Sequence, residues 1–138
     1  MVPSYNHSYL AYRIGRLLDR EEKFNIHIEL ALEINKAEYV VDVAAYPRQP
    51  VDFLHDTIKV QTLPLLVVEI ISPTQSVQEF VEKAEYYLCA GIPACWLVIP
   101  PTNTIVVFHE ITRPESYSSG IFSEPALGID MNVADIFV

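Results

Sequence analysis

The chain has 138 residues, 51% of them hydrophobic, and carries a formal net charge of −9. This length and apolar content predict a single domain over residues 1–138 and exclude wholesale disorder, and no apolar run reaches the ~18 residues of a membrane helix. The negative charge excludes nucleic-acid binding through a generally basic surface, so such binding would need a local patch, a metal ion or a dimer groove.

The first third of the chain predicts one helix and two strands. Ser4 to Lys23 has apolar residues at helical spacing and a serine that can cap the helix. Phe24 to Asn35 alternates apolar and polar residues, which predicts a strand with one buried face. The alternating apolar residues are Ile26, Ile28, Leu30, Leu32 and Ile34. Tyr39 to Tyr46, rich in Val and Tyr, predicts the second strand.

The middle of the chain predicts a loop followed by a strand–helix–strand unit. Arg48 to Leu63 is mixed in composition and predicts a loop, with a helical turn around Val51 to Ile58. Pro64 to Ser72 is apolar except for one carboxylate, which is typical of a central, covered strand. Ser76 to Ala90 predicts the second helix and Ala94 to Pro100 the fourth strand. Such a unit implies that its two strands are parallel.

The last part of the chain predicts a further strand over Thr104 to Glu110, a weak strand near Gly120 to Glu124 and a short closing element over Val133 to Val138. With the first three strands as a meander, the element order predicts an α/β fold with a mixed sheet flanked by helices.

The two cysteines and the N-terminus bear on the compartment. Cys89 and Cys95 lie in apolar surroundings without zinc-site spacing, and we predict two buried or half-buried thiols. The N-terminus lacks the basic and apolar regions of a signal peptide, so the predicted location is the cytoplasm.

Two carboxylates lie inside apolar strand-like runs: Glu69 in Leu-Leu-Val-Val-Glu-Ile-Ile, and Asp42 in Tyr-Val-Val-Asp-Val-Ala-Ala-Tyr. A buried, ionised carboxylate is costly unless it is paired with a cation, a metal or hydrogen-bond donors. If the second and third strands are adjacent, the two acids converge, and a hard cation such as Mg²⁺ prefers such oxygen ligands. The alternative for Glu69 is a strand-end acid that reaches solvent or bonds to a neighbouring backbone. The alternative for Asp42 is an acid on the polar face of a half-exposed strand.

Other polar residues have a structural and a functional interpretation. Lys83 could form a surface pair with Glu79 or serve the site. Glu29 could be a further ligand or metal positioner, or belong to a solvated strand face, and His7 could support the site or lie on the surface. The basic side of the first helix is either a phosphate-binding face or a solvated one; it comprises Arg13, Arg16, Arg20 and Lys23.

Tyr87 and Trp96 are predicted as core residues, but they also belong to a longer pattern. It reads Glu69-Ile-Ile-Ser-Pro-Thr, then Glu79-x-x-x-Lys83-x-x-x-Tyr87-x-x-x-Gly91-Ile-Pro, then Trp96-Leu-Val. With His7 in the first helix and Val41-Asp42-Val43 in the second strand, it resembles the Uma-type restriction endonucleases of the PD-(D/E)XK nuclease superfamily. The resemblance covers nearly the whole chain.

The resemblance implies a restriction-endonuclease-like core, a Mg²⁺-dependent site for hydrolysis of phosphodiester bonds, most naturally in DNA, and a homodimer. Mn²⁺ is the expected substitute ion. Asp42 and Glu69 would be the metal acids, and the backbone carbonyl of Ile70 would complete the metal shell. Lys83 would orient the attacking water or stabilise negative charge, and Glu29 would position a second ion or a water.

Four positions depart from the family pattern. The superfamily lysine two residues after the acid is Ile71 here, and the motif proline is Val41. The usual Asp of the second helix is Glu79, and an acid after Trp-Leu-Val is Ile99. The missing lysine at position 71, the short chain and the net charge of −9 keep open a catalytically silent nuclease fold that acts as a protein-interaction or assembly module. A further alternative is a metal-dependent hydrolase of small phosphate esters, which needs no basic DNA groove.

Overall fold

A six-stranded sheet forms the centre of the structure, a computed structural model that describes residues 3–138. Its strands are β1 (Phe24–Ile34), β2 (Ala37–Pro47), β3 (Leu66–Ile70), β4 (Ala94–Ile99), β5 (Thr104–Phe108) and β6 (Glu115–Tyr117). They follow one another across the sheet in chain order; β3 and β4 are parallel and the other neighbours antiparallel. The predicted mixed α/β sheet, with its meander and its strand–helix–strand unit, is confirmed.

Both predicted helices form, and their ends follow local chemistry. The helix α1 (Tyr5–Asp19) begins at Ser4, whose hydroxyl accepts the His7 N–H, and it ends four residues before the predicted Lys23. The helix α2 (Val77–Ala90) is capped by Ser76 and ends at Gly91, where a φ of 110° favours glycine.

The sheet has one apolar core on each face. On the first face lie α1, the closing helix α3 (Val133–Ile136) and the hairpin of β7 (Ile121–Glu124) and β8 (Ile129–Asn132). On the second face lies α2. Alternate residues of β3 and β4 enter the two cores, which explains why these strands are apolar throughout.

The prediction that β1 has a single buried face is wrong, because the strand changes face at Glu29. This residue has a φ of 54°, a left-handed conformation that is uncommon for a residue with a Cβ. Ile26 therefore packs on the α1 side of the sheet, whereas Leu30 and Leu32 pack on the α2 side.

The neighbouring strand changes face at the matching point. Ile28 pairs with Val43 and Leu30 with Val41, so Glu29 lies opposite Asp42. Val41 belongs to the α2 core and Val43 to the α1 core. The double change of face marks the position of one of the two candidate acids.

Three smaller predictions also need correction. No helical turn forms over residues 51–58, where the Asp52 carboxylate accepts the N–H of Leu54 and bends the chain instead. Cys95 is buried as predicted, but Cys89 is exposed because it lies on the outer side of α2. The strands β6 and β8 were not predicted, since both are short.

No helix within residues 3–138 has the length and apolarity to span a membrane. The single domain stays a prediction.

Candidate active site

Asp42 and Glu69 lie side by side beneath the surface of the sheet. Asp42 is on β2 and Glu69 on β3, and the pairing of Val43 with Val68 places the two acids one step further along the same ladder. Asp42 is 5% exposed and Glu69 3%. The predicted adjacency of the second and third strands is therefore confirmed, and it brings the two carboxyl groups within hydrogen-bonding reach of each other.

One oxygen of Asp42 is held from two directions. Its Oδ2 accepts the backbone N–H of Ile70 at 2.7 Å and lies 3.0 Å from Nε2 of His7. His7 is buried, and within the described residues neither ring nitrogen has a hydrogen-bond partner other than this Asp42 contact. Close contact with Asp42 raises the pKa of His7, burial opposes the rise, and the charges of Asp42 and Glu29 add to it.

Glu69 is held by the hydroxyl of Tyr87, which donates to its Oε1 at 2.8 Å. Burial and the nearby negative charge of Asp42 raise the pKa of Glu69 to about 8, although Lys83 and the Tyr87 hydroxyl lower it in part. Burial and the charge of Glu69 also raise the pKa of Tyr87, which keeps this tyrosine a donor. The site therefore holds less negative charge at neutral pH than two free carboxylates would.

Lys83 and Glu29 line, together with Asp42, an open cleft with a volume of about 590 Å³. Glu69 lies next to Asp42 but does not itself line this cleft. The Nζ of Lys83 lies 5.3 Å from the centroid of the Phe80 ring, and within residues 3–138 no ion pair joins Lys83 to Glu79. The geometry thus favours the interpretation of Lys83 as a cleft residue. Glu29 is exposed at the cleft, where its backbone changes face.

The backbone of Ile70 also faces the site. Its N–H points to Asp42, whereas the N–H of Ile71 points the other way, to the carbonyl of Val98 on β4. Because the N–H and C=O of one strand residue point to the same neighbour, the Ile70 carbonyl is directed towards the β2 side.

The oxygen atoms at this site are ligands that suit a hard divalent cation. Asp42 uses Oδ2 and Glu69 uses Oε1 for the hydrogen bonds described above, which leaves an oxygen on each for a cation or a shared proton. Within the part of the chain that the structure describes, no three His, Cys, Asp or Glu side chains form a complete metal cage. Two carboxylates, a carbonyl and water suit Mg²⁺, which is held by few protein ligands and retains waters.

The other candidate residues lie partly outside the cleft. None of the basic residues of α1 lines the cleft, and the Arg13 guanidinium donates to the carbonyl of Asp135 instead. Tyr87, predicted as a core residue, is indeed buried but also contacts a candidate ligand. In the sequence, its spacing of one helical turn from Lys83 was the feature that indicated a place near the site. Gln75, which lines the cleft, carried no signal in the sequence.

The comparisons with known proteins agree with this geometry. The family model of Uma2, described as "Putative restriction endonuclease", matches residues 1–134. A crystal structure of "a putative nuclease belonging to DUF820 from Anabaena variabilis ATCC 29413" superposes with a TM-score of 0.85 at 18% identity, over 99% of this chain and 83% of that one. At this identity the likeness shows the fold alone. No curated protein matches the chain.

Proposed function

The chain belongs to the Uma2 family, and from that premise we propose that it is a nuclease that hydrolyses phosphodiester bonds in DNA with a bound Mg²⁺ ion. The observation that carries the proposal is the pair of buried, neighbouring acids, Asp42 and Glu69, each with one oxygen held by the protein; Asp42 lines an open cleft.

In this proposal Asp42, Glu69 and the carbonyl of Ile70 hold Mg²⁺, or Mn²⁺ in its place. When bound, such an ion supplies Lewis-acid polarisation of the phosphate and acidification of a water. Ionisation of Glu69, which burial and Asp42 oppose, becomes favourable beside a cation. Cation binding thus also lessens the repulsion between the acidic chain and a phosphate.

The protein's own groups orient the acids and the substrate. The Tyr87 hydroxyl and the Ile70 N–H fix one oxygen of each acid, so that the other oxygens keep their direction. Lys83 stabilises the negative charge that grows on the phosphate or orients the attacking water. Glu29, exposed on the same cleft, positions a water or a second ion.

The test is nicking of supercoiled DNA in Mg²⁺ or Mn²⁺. We expect the wild type to nick and Asp42→Ala to lose activity by about a thousandfold or more, because a ligand that the reaction needs is gone. Glu38→Ala is the matched control, since Glu38 is an exposed acid of the same cleft without a proposed role and should retain activity. Equal nicking by wild type and Asp42→Ala would contradict the assignment.

A second candidate, a catalytically silent assembly module, is favoured by one feature. The loop between β2 and β3 exposes Val51, Phe53, Leu54 and Ile58, each more than half accessible and Phe53 at 93%. Such a patch is typical of a protein-binding surface, and the expected homodimer could use it. Calorimetry separates the candidates: absence of divalent-ion binding, with thermal stability unaffected by Mg²⁺, would favour the silent module over the nuclease.

A further inference from the structure

A second cavity, of about 420 Å³, lies next to the open cleft that Asp42 and Lys83 line. It is formed where the parallel strands end, at Ile71 after β3 and at Pro100 after β4, and the first turn of α1 closes it. The carboxyl ends of parallel strands are a common place for ligands in α/β proteins. Gln75 lines both this cavity and the cleft, so the two form one continuous surface.

The two cavities differ in charge. The cleft is lined by Glu29, Glu38 and Asp42 with one lysine, whereas none of the described residues that line the second cavity is charged. Its wall is mainly apolar and includes Pro73, Pro100 and Tyr5, which is 90% exposed. On a chain with a net charge of −9, this is the part of the surface near the acids where a nucleic acid meets the least repulsion.

The chemistry of this wall matches a nucleobase. An exposed tyrosine ring stacks on the face of any base, and such stacking contributes to binding without attraction between charges. Asn6 and Gln75 carry amide groups, which can both donate to and accept from the edge of a base. Gln75 is anchored, since its Oε1 accepts the N–H of Ser72 at 3.0 Å.

We propose that the second cavity binds an unpaired base of the strand whose phosphodiester lies at Asp42 and Glu69. Tyr5 stacks on the base, and the amides of Asn6 and Gln75 contact its edge. The bases of an intact duplex are stacked on each other and do not offer a free face. The substrate is therefore a single-stranded or locally unpaired nucleic acid, an assignment that rests on the proposed nuclease function.

The test measures binding by fluorescence anisotropy in EDTA, so that cleavage is not needed. The probes are a labelled single strand of about twelve nucleotides and a covalently closed duplex of the same sequence. We expect the wild type to bind the single strand about tenfold more tightly than the duplex, and Tyr5→Ala to lose about tenfold in single-strand affinity. Tyr5→Phe retains the ring and should bind as the wild type does.

The matched control is Tyr12→Ala, which removes an exposed tyrosine of the same helix that does not line this cavity and should leave binding unchanged. Stacking has its own readout: a 2-aminopurine in the strand should be quenched by the wild type but not by Tyr5→Ala. Equal affinity for strand and duplex, equal effects of the two alanine variants, or no binding would each overturn the proposal.

The outcomes also separate this proposal from the nuclease function. Tyr5-dependent binding of the single strand, without any nicking in Mg²⁺ or Mn²⁺, would support the base site and contradict the nuclease. Nicking that depends on Asp42 but proceeds equally on a relaxed, fully paired plasmid and in Tyr5→Ala would support the nuclease and overturn the base site.

Discussion

Residues 3–138 contain two centres of buried carboxylate, and their hydrogen bonding differs. At the first, Glu124 at the end of β7 is fully buried, and both of its oxygens are occupied by protein donors. Its Oε1 accepts the indole N–H of Trp96 at 2.7 Å. Its Oε2 lies 2.7 Å from Nε2 of His109 and accepts the N–H of Ala126 at 3.1 Å. Three segments of the chain are thus joined through one side chain.

At the second centre, two acids share a small number of donors. The charge of Asp42 opposes the ionisation of Glu69, and each acid has one oxygen held by the protein. The difference shows that burial of a carboxylate does not by itself indicate function. The informative quantity is the capacity to accept hydrogen bonds or a cation that the protein leaves unused.

The largest expected effect on stability tests the structural role of the first centre. Glu124→Ala leaves the buried Trp96 N–H without an acceptor and releases the hairpin from β4, so we expect a loss of about 3–5 kcal/mol in the free energy of unfolding. Urea denaturation measures it. Asp130→Ala, which removes an exposed acid of the same hairpin, should cost about 0.5 kcal/mol or less. A loss under about 1 kcal/mol for Glu124→Ala would remove the distinction between the centres.

An effect of similar size, but dependent on pH, tests the second centre. The pKa of Glu69 in the folded protein is about 8, above its ordinary value of 4.5, so between these values the folded state binds more protons than the unfolded state. The free energy of unfolding should therefore fall as pH rises from about 4.5 to about 8, with a slope of up to about 1.4 kcal/mol per pH unit. Glu69→Gln removes this titration and should flatten the curve.

In Glu69→Gln, the free energy of unfolding should still depend on pH to some extent, because His7 remains. Its pKa is raised above the ordinary 6.5, so its stabilising contact is complete below that value and is lost as pH rises through the raised pKa. Urea denaturation between pH 5 and pH 8.5, first in EDTA and then in Mg²⁺, measures both effects. Mg²⁺ should restore stability at high pH in the wild type but not in Glu69→Gln. Parallel curves for the two proteins would contradict the raised pKa.

The two centres were not equally predictable from the sequence. Asp42 and Glu69 are each surrounded by apolar residues in the chain, so a local pattern was enough to single them out, and the alternation of strands made their convergence a consequence of adjacency. Glu124 precedes a proline in a short strand, and its partners Trp96 and His109 are 28 and 15 residues away. Only the packing of the hairpin on β4 buries it.

The face change of β1 was hidden for a similar reason. The two-residue period runs through Glu29 without interruption, whereas the positive φ that breaks it arises only where Glu29 lies opposite Asp42. Periodicity therefore identified the strand correctly but not which side of the sheet each half faces. Lys83 and Tyr87 show the opposite case, since a spacing of four on α2 places both side chains towards the acids.

The smallest expected effect tests whether Glu69 is oriented by its neighbour. Tyr87→Phe removes the only hydroxyl that donates to Glu69 within residues 3–138. We expect a loss of about 1 kcal/mol in the free energy of unfolding. The Mg²⁺ concentration for half-maximal nicking should rise about tenfold, while the rate at saturating Mg²⁺ changes little. Tyr86→Phe is the matched control, because its hydroxyl bonds at 3.4 Å to Asn35 and to the Ile34 carbonyl, away from the acids. If both variants require the same Mg²⁺ concentration as the wild type, Glu69 is held by packing alone, and the second centre resembles the first more closely than its hydrogen bonds indicate.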